Sequence, residues 1–319
     1  MTTQINGSAI TGLAAYRPTR NVTSAELARQ TSVSPEWIEE RTGIKTRHHA
    51  SEEEDLVTMG SEAGRKALAA AEVDIAEVDL VILATATRRR RIPGAAPEIA
   101  SRIGIPAAGA FDINAVCAGF TYSLAMASSA VRLGSARNVL VIAAERTTDF
   151  IHPRTPDTYV IFGDGAGAVV VSRSERDDIG PVVWGSDGNR SAVLKMETFD
   201  DKNDYVVMDG PLVYKWSTAT MPRAARRACE LAGVELSDIA WFVPHQANLR
   251  IIDTLTRTLG FPPDRVARDV VDTGNTSAAS VPLAMTRLAE SGRVNHGDLA
   301  LLLGFGAGLT YAGQVVRMP

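Results

Sequence analysis

Residues 112–120 form the first segment that could carry chemistry, because Cys117 lies between a predicted strand and a predicted helix. The start of a helix presents unpaired N–H groups and the positive end of the helix dipole, which together favour an anion. We expect this placement to lower the thiol pKa below its free value of about 8.5 and to give a thiolate nucleophile. The alternative is a buried structural cysteine, which is how we interpret Cys229 inside a helical stretch.

Two polar segments could assist such a nucleophile. His245 follows a predicted buried strand and precedes a predicted helix, where an imidazole can donate a hydrogen bond or accept a proton. Taken alone, His245 could instead be a capping or surface histidine. Residues 272–280 contain Asn275 and, taken alone, indicate a helix cap with a turn glycine.

Glycines dominate two further segments. Residues 304–310 alternate glycine with other residues, so their backbone could approach a ligand closely and direct N–H groups at an oxyanion. A tight turn is the alternative. Residues 163–168 look like a dinucleotide-binding loop, but such a loop is followed by a helix. Because the valines at 169–171 continue as a strand, we expect no nucleotide there.

The elements that must position these residues alternate between apolar strands and amphipathic helices. Predicted strands cover residues 79–84, 138–143, 239–243 and 298–303, and predicted helices cover residues 118–133, 248–259 and 277–290. Continuous Val/Ile/Leu strands between helices are typical of an α/β fold whose sheet is covered on both faces.

The pattern of elements repeats along the chain. A shift of 161 positions places Asp79 on Ala240 and Val139 on Ala300 without a gap. The same shift sets residues 109–120 opposite residues 270–281, each predicted as a strand end, a polar turn and a helix start. We interpret this as a duplication and predict two halves, residues 1–173 and 174–319, with the Asn275 segment near Cys117. Chance agreement between two ordinary βαβ units is the alternative.

Composition narrows the class of protein. The chain has 319 residues, 45% of them hydrophobic and 22% charged, which is typical of a globular protein. A net charge of −4 gives no basic excess for nucleic acid, and two cysteines are too few for a disulfide framework. We found no leader-like N-terminus, no membrane-length apolar run and no zinc-like histidine spacing. The sequence therefore predicts a cytoplasmic protein without metal, nucleic-acid or membrane partners.

Several motifs, in order, resemble those of one family over nearly the whole chain. They occupy residues 34–38, 41–44, 112–120, 162–168, 243–252, 274–280 and 304–310. On these residues the chain resembles the β-ketoacyl-acyl-carrier-protein synthases III of the thiolase superfamily, and also the related starter-unit ketosynthases of polyketide pathways. The resemblance implies a five-layer αβαβα thiolase-like fold of two duplicated halves and a homodimer.

The resemblance also implies a decarboxylative Claisen condensation. Cys117 would take an acyl group from acyl-CoA, and His245 and Asn275 would stabilise the enolate formed from malonyl-acyl-carrier-protein, giving a 3-oxoacyl-acyl-carrier-protein. The backbone N–H groups of Cys117 and Gly308 would form the oxyanion hole. Coenzyme A enters only as a substrate thioester, and no metal or redox cofactor is implied.

The resemblance implies the contacts for coenzyme A and the carrier protein less completely than it implies the catalytic residues. The positions that match coenzyme A or carrier-protein contacts are Trp37, Arg41, Lys215, Ala247, Asn248 and Arg250. Pro156 departs from the family, which commonly has an arginine there, and Arg154 is a possible substitute.

A run of four arginines, Arg88 to Arg91, precedes Ile92 where the family shapes the acyl pocket or the subunit interface. We expect Arg91 and Ile92 to lie at that pocket or interface. We also expect at least one of the arginines to meet an acidic group on a substrate, a carrier protein or the other subunit. The alternative is a solvated loop.

Three other functions remain open from the sequence. The chain could be a specialised starter-unit ketosynthase or acyltransferase, a Cys-His hydrolase or amidotransferase, or a catalytically silent partner of a ketosynthase. Silent partners typically lack the cysteine, and Cys117 is present here.

Overall fold

The computed structural model describes residues 7–319, and strands alternate with helices over that part of the chain. Its first part contains β1 Gly7–Tyr16, β2 Arg20–Thr23, α1 Ser24–Ala28, α2 Pro35–Thr42, β3 Thr46–His49, α3 Leu56–Ala70, β4 Leu80–Ala84, α4 Ala96–Ile103, β5 Gly109–Ile113, α5 Gly119–Arg132, β6 Asn138–Arg146, α6 Pro156–Tyr159 and β7 Asp164–Ser174. Its second part contains β8 Val183–Ser186, β9 Leu194–Thr198, β10 Asp204–Met208, α7 Gly210–Ala232, β11 Trp241–Pro244, α8 Leu249–Leu259, α9 Val270–Thr273, α10 Ser280–Glu290, β12 Leu299–Gly306 and β13 Thr310–Arg317.

Two mixed sheets form the framework. The first has the order β1-β7-β6-β4-β5, with β4 parallel to both β5 and β6 and with β7 antiparallel to its neighbours. The second has the order β11-β12-β13-β8, with β11 and β12 parallel and the remaining pairs antiparallel. The antiparallel pairs β2-β3 and β9-β10 form two further small sheets.

Helices cover both faces of each large sheet. Helices α3 and α4 pack on the outer face of the first sheet, α5 and α10 lie between the two sheets, and α7 packs on the second sheet beside α8. Strand β6 shows why its sequence is continuously apolar: Val139 and Val141 point into the central core, whereas Leu140 and Ile142 point into the outer one. The order of layers is αβαβα, so the predicted thiolase-like α/β fold is confirmed.

The duplication is visible in the structure at the same 161-residue shift. A 3₁₀ turn at Val116–Ala118 precedes α5, and a matching turn at Ser277–Ala279 precedes α10. Val116 and Ser277 both have left-handed backbones, with φ of 47° and 49°. The division at residues 173 and 174 stays a prediction; β7 ends at Ser174, and residues 1–6 of the first half lie outside the described residues.

The halves differ at one predicted element. The segment matched to β5 was predicted as a strand end, but Val270–Thr273 forms a helical turn, α9. Its carbonyl at Val271 accepts the Lys45 N–H at 2.8 Å, and α9 packs on β3. The second sheet therefore ends at β11 instead of gaining a strand at this edge.

The glycines that resemble a dinucleotide loop have a packing role. Gly163 directly precedes β7, and Gly165 and Gly167 lie within it, so the predicted strand is confirmed. A Cβ at Gly167 would lie 2.7 Å from the Pro282 side chain, and one at Gly163 would lie 2.6 Å from the Thr273 carbonyl oxygen. Glycine at these positions lets the α10 region of the second half approach the first sheet.

Across residues 7–319, we find no helix that combines the length and the apolar character needed to cross a membrane.

Candidate active site

A cavity of about 310 Å³ brings together Cys117, His245 and Asn275. Apolar side chains, including Val160, Leu194, Met208, Phe305 and Leu309, supply much of its wall. The three polar residues come from distant parts of the chain: Cys117 and Asn275 lie in the facing segments before α5 and α10, and His245 follows β11. The sequence prediction that the Asn275 segment would lie near Cys117 is in agreement with this cavity.

Cys117 is the middle residue of the 3₁₀ turn before α5 and is 5% exposed. The preceding left-handed residue, Val116, turns the chain sharply at this point. A Cβ on Gly306 would lie 2.7 Å from the Cys117 Cβ and 3.0 Å from its Sγ. Gly306 therefore lets the end of β12 pack directly against the cysteine.

The expected thiolate does not match the environment of Cys117. The pKa of the Cys117 thiol is raised to about 12, above all by burial; the negative charge of Glu145 also raises it, whereas a hydrogen bond from Ser277 lowers it. The prediction of a thiolate in the unreacted enzyme is therefore wrong: Cys117 rests as a thiol that donates to Ser277 Oγ at 3.5 Å.

His245 is held at the end of β11 by contacts on its backbone and on one ring nitrogen. Its N–H donates to the Leu303 carbonyl at 2.7 Å, and its Nδ1 lies 2.7 Å from Ser280 Oγ. Ser280 Oγ also accepts the Gln246 N–H at 3.3 Å. Burial lowers the pKa of His245 to about 3, so the imidazole is neutral at physiological pH.

Ser280 can set the tautomer of His245. Its Oγ accepts the Gln246 N–H and keeps a hydroxyl proton that it can donate to Nδ1. A neutral imidazole that accepts at Nδ1 carries its proton on Nε2. His245 is then a hydrogen-bond donor toward the cavity.

Asn275 is oriented in a similar way. Its side-chain Oδ1 accepts the Ser277 N–H at 2.9 Å. Its backbone is fixed by an N–H donated to the Ile161 carbonyl at 2.8 Å and by a carbonyl that accepts the Gly163 N–H at 3.0 Å. With its oxygen occupied, the side chain presents its NH₂ group as a donor. The cavity thus combines one nucleophile with two neutral donors.

The predicted oxyanion donor Gly308 is not among the residues that line the cavity, and its role as a donor stays a prediction. Strands β12 and β13 pair through Gly306 and Thr310, so Gly308 lies in the connecting loop and is exposed. Gly306 is the glycine of this loop region that lines the cavity beside Cys117. The Cys117 N–H, within the first turn before α5, remains suitably placed as a donor.

Most of the predicted coenzyme A positions lie on the same cavity. Its lining includes Trp37, Arg41, Ala247, Asn248 and Arg250. Asn248 also caps α8 by accepting the Arg250 N–H at 2.8 Å, and its side-chain amide donates to the Arg41 carbonyl at 3.4 Å. Lys215 is exposed on α7 and is outside the cavity lining.

Arg154 does not turn toward the position expected for a coenzyme A contact. Its guanidinium pairs with Asp200 at 3.4 Å and lies over the Phe199 ring at 5.0 Å. Phe199 and Asp200 belong to the connection between β9 and β10, so Arg154 joins its own loop to that hairpin.

Two of the four arginines in the 88–91 run meet acidic groups of their own chain. Arg88 donates to Glu98 at 2.9 Å, and Arg89 lies 3.4 Å from Asp149. The sequence predicts an acidic group on a substrate, a carrier protein or the other subunit, whereas these two partners lie on the same chain.

Arg91 and Ile92 lie outside the cavity lining. Both are exposed, and Ile92 is 85% exposed. They do not contribute to the acyl pocket within this chain, and their predicted place at a subunit interface stays a prediction.

Four residues that shape the site were not singled out as functional from the sequence: Ser277, Ser280, Gly306 and Glu145. The two serines lie inside the 272–280 segment that was chosen for its turn, and Gly306 lies inside the 304–310 segment. Glu145 follows a predicted strand and carries no motif, so burial is the signal that reveals it.

The two facing helix starts, the αβαβα layers and the Cys-His-Asn cavity together define a thiolase-like condensing enzyme. A family described as 3-oxoacyl-[acyl-carrier-protein] synthase III matches residues 111–188, and its C-terminal part matches residues 229–318. The β-ketoacyl-[acyl-carrier-protein] synthase III 4 of Streptomyces coelicolor is 46% identical over 316 residues, which cover 98% of this chain and 99% of that protein.

Solved structures agree with the sequence comparisons. The priming β-ketosynthase of the R1128 polyketide biosynthetic pathway has a TM-score of 0.97 at 45% identity, covering 100% of this chain and 98% of that one. The 3-oxoacyl-[acyl-carrier-protein] synthase III of Aquifex aeolicus has a TM-score of 0.92 at 37% identity, covering 98% and 100%. The chain belongs to the β-ketoacyl-acyl-carrier-protein synthase III family and is an acyl-condensing enzyme.

Proposed function

We propose that this enzyme loads an acyl group from acyl-CoA onto Cys117 and condenses it with malonyl-acyl-carrier-protein. The observation that supports this most directly is the meeting of one thiol and two oriented neutral donors in one largely apolar cavity. The Cys117 sulfur attacks the thioester carbonyl, and coenzyme A leaves. The Cys117 N–H and a backbone N–H of the turn after β12 stabilise the oxyanion.

In the second half-reaction, malonyl-acyl-carrier-protein enters and loses CO₂. His245 Nε2–H and the Asn275 NH₂ group donate to the thioester oxygen, which gains negative charge as the enolate forms. The carbanion attacks the acyl group on Cys117 and releases the 3-oxoacyl product. Both donors suit this step because a neutral imidazole and an amide do not protonate the carbanion readily.

The binding partners follow from the cavity and its surroundings. Trp37, Arg41 and Arg250 line the cavity on the side that we assign to coenzyme A, and exposed Lys215 and Arg250 suit an acidic carrier protein. We further propose a cytoplasmic homodimer, in which Arg91 and Ile92 face the second subunit. Coenzyme A acts as a substrate, and the proposed steps require no metal or redox cofactor.

A specialised starter-unit role is the second candidate. The similarity to a priming ketosynthase of a polyketide pathway favours it, at 45% identity over the whole chain. The apolar cavity wall suits an uncharged acyl group in either role. A silent partner subunit is disfavoured because Cys117, His245 and Asn275 are all present and share one cavity.

Intact-protein mass spectrometry after exposure to a panel of acyl-CoAs tests the proposal. We expect a stable acyl adduct on Cys117, its absence in Cys117→Ala, and its discharge when malonyl-acyl-carrier-protein is added. Acylation of the Cys117→Ala variant would contradict the assignment. Rapid release of free acid without the carrier would indicate a hydrolase instead.

Half-reactions should separate in His245→Ala and Asn275→Ala. We expect acyl loading to persist and decarboxylation to fall by about 10²-fold or more, as for loss of an oxyanion donor. Equal loss of both half-reactions in His245→Ala would show that His245 mainly deprotonates the thiol.

A further inference from the structure

Glu145 is a fully buried carboxylate at the end of β6, with an exposed fraction of 0%. Its Oε2 accepts hydrogen bonds from the Thr85 hydroxyl at 3.0 Å, the Ala86 N–H at 3.0 Å and the Thr87 hydroxyl at 2.7 Å. Within residues 7–319, no Lys, Arg or His nitrogen lies within 4 Å of it. A buried carboxylate without a cation is costly, and its hydrogen bonds offset only part of that cost.

The other side of Glu145 faces the nucleophile. Its Oε1 accepts the Ala278 N–H at 3.4 Å, and the hydroxyl of the adjacent Ser277 lies near enough to the carboxyl group to lower its pKa. Ser277 Oγ lies 3.5 Å from Cys117 Sγ. Ser277 therefore stands between the thiol and a buried carboxyl group.

The pKa values of Glu145 and Cys117 depend on each other. Burial raises the pKa of Glu145 above its ordinary value, although the Thr87, Ala86, Ser277 and Thr85 hydrogen bonds lower it in part. The charge of Glu145 in turn raises the pKa of the Cys117 thiol. Cys117 is the titratable group that faces Glu145; its other contacts are hydroxyl and backbone N–H groups. A proton on either the Cys117 thiol or the Glu145 carboxyl group is therefore bound more tightly than it would be on the same group in water.

We propose that Glu145 stores the proton of Cys117 between the two half-reactions, acting through Ser277. This inference rests on the acyl-loading step of the proposed function. As sulfur bonds to the acyl carbon, the S–H proton passes to Ser277 Oγ, and the Ser277 hydroxyl proton passes to the Glu145 carboxylate. The C–S bond to coenzyme A breaks, and the coenzyme A thiolate takes a proton from water.

The proton held by Glu145 is used in the second half-reaction to restore the Cys117 thiol. Malonyl loses CO₂, and its electron pair forms the new C–C bond to the acyl carbon. The C–S bond to Cys117 then breaks with its electron pair on sulfur. This thiolate regains its proton from Glu145 through Ser277, which restores the thiol and the carboxylate. No oxidant, reductant or additional acid is required.

Proton stoichiometry tests the store directly. At pH 7 the released coenzyme A thiol is almost fully protonated, since a free thiol has a pKa of about 8.5. In a weakly buffered, dye-monitored single turnover with acyl-CoA alone, the wild type should take up about one proton per acylated Cys117. If the Cys117 proton left to solvent instead, net uptake would be zero. Zero uptake in an enzyme that mass spectrometry shows to be acylated would overturn the proposal.

Two variants of Glu145 distinguish proton storage from a purely structural role of this side chain. Glu145→Gln keeps the size and hydrogen-bonding shape of the side chain but cannot store a proton, so uptake should fall to near zero per acylated site and loading should slow by about 10²-fold. Glu145→Asp retains a carboxylate and should retain uptake. Full uptake in Glu145→Gln would also contradict the proposal.

A matched control is Glu54→Gln, at another buried carboxylate that accepts from Tyr16 at 2.8 Å and from Ser51 at 2.9 Å. It should leave proton uptake per acylated site unchanged. The two hypotheses fail separately: absence of acylation in the wild type would refute the proposed function, whereas acylation without proton uptake would refute only the store.

Discussion

Ser280 Oγ lies 2.7 Å from His245 Nδ1 and so joins the first residue of α10 to the histidine that follows β11. The contact crosses 35 positions of sequence and lies wholly in the buried interior. It places the proton of the neutral ring on the nitrogen that can face substrate. Ser280 thereby acts as a positioning residue for His245.

Replacement of Ser280 tests this role. In Ser280→Ala the ring can adopt either tautomer, so we expect decarboxylation of malonyl-acyl-carrier-protein to fall roughly ten-fold or more, with acyl loading changed much less. Ser280→Thr retains a hydroxyl and should recover most of the loss. Equal loss of both half-reactions in Ser280→Ala, without recovery in Ser280→Thr, would indicate disruption of the fold instead.

We expect His245 to remain neutral, and therefore functional, at the pH values near 6.5 at which histidine usually gains a proton. Burial lowers its pKa to about 3, so the imidazole stays neutral as the pH falls through 6.5 and gains a proton only near 3. The rate of the decarboxylation half-reaction, measured with preacylated enzyme between pH 8 and pH 5, should therefore show no inflection near 6.5. A ten-fold fall centred there would mean that His245 is far more hydrated than its surroundings indicate.

Gly306 should be intolerant of even one methyl group. A Cβ at this position would lie 2.7 Å from the Cys117 Cβ, closer than two carbon atoms can approach. Gly306→Ala should therefore displace Cys117 and lower the acyl-loading rate by about 10²-fold, as expected for misplacement of a reacting atom by about 1 Å. Gly188→Ala is a suitable control because no atom lies within 4 Å of its added Cβ. Equal loading rates in both variants and the wild type would refute the predicted crowding.

Arg154 should matter little for coenzyme A. Because its guanidinium pairs with exposed Asp200 and lies over Phe199, Arg154→Ala should change the KM for acyl-CoA less than two-fold. Exposed pairs of this kind contribute about 0–1 kcal/mol, so the melting temperature should change only slightly. Arg41→Ala, on the cavity lining, provides the contrast and should raise KM clearly. A large rise in KM for Arg154→Ala would restore it as a phosphate contact.

Much of the fold could be predicted because its causes are local. The apolar strands, the glycine after α8 and the repeat at 161 positions are all visible in the sequence, and α8 ends at Leu259 before Gly260 as expected. The exception, α9, depends on its packing against β3, a contact across more than 220 positions that no local pattern reveals.

The residues singled out from the sequence share one cavity, whereas the electrostatics of that cavity could not be predicted. Cys117, His245 and Asn275 lie at element boundaries, where functional residues stand out. The state of the thiol depends mainly on its burial and in smaller part on the charge of Glu145, and both arise only through folding. Gly308 was indistinguishable from Gly306 by type, and only the β12-β13 register separates the two.

The matched left-handed residues Val116 and Ser277 have an evolutionary consequence. Each half retains a costly backbone turn of about 1–3 kcal/mol, yet only the first carries sulfur, since Ala278 occupies the position matched to Cys117. In a symmetric pair of identical halves, a substitution would change both turns at once. Within one chain the two turns can differ, so that one supplies the reactive sulfur and the other places the Ser277 hydroxyl beside it.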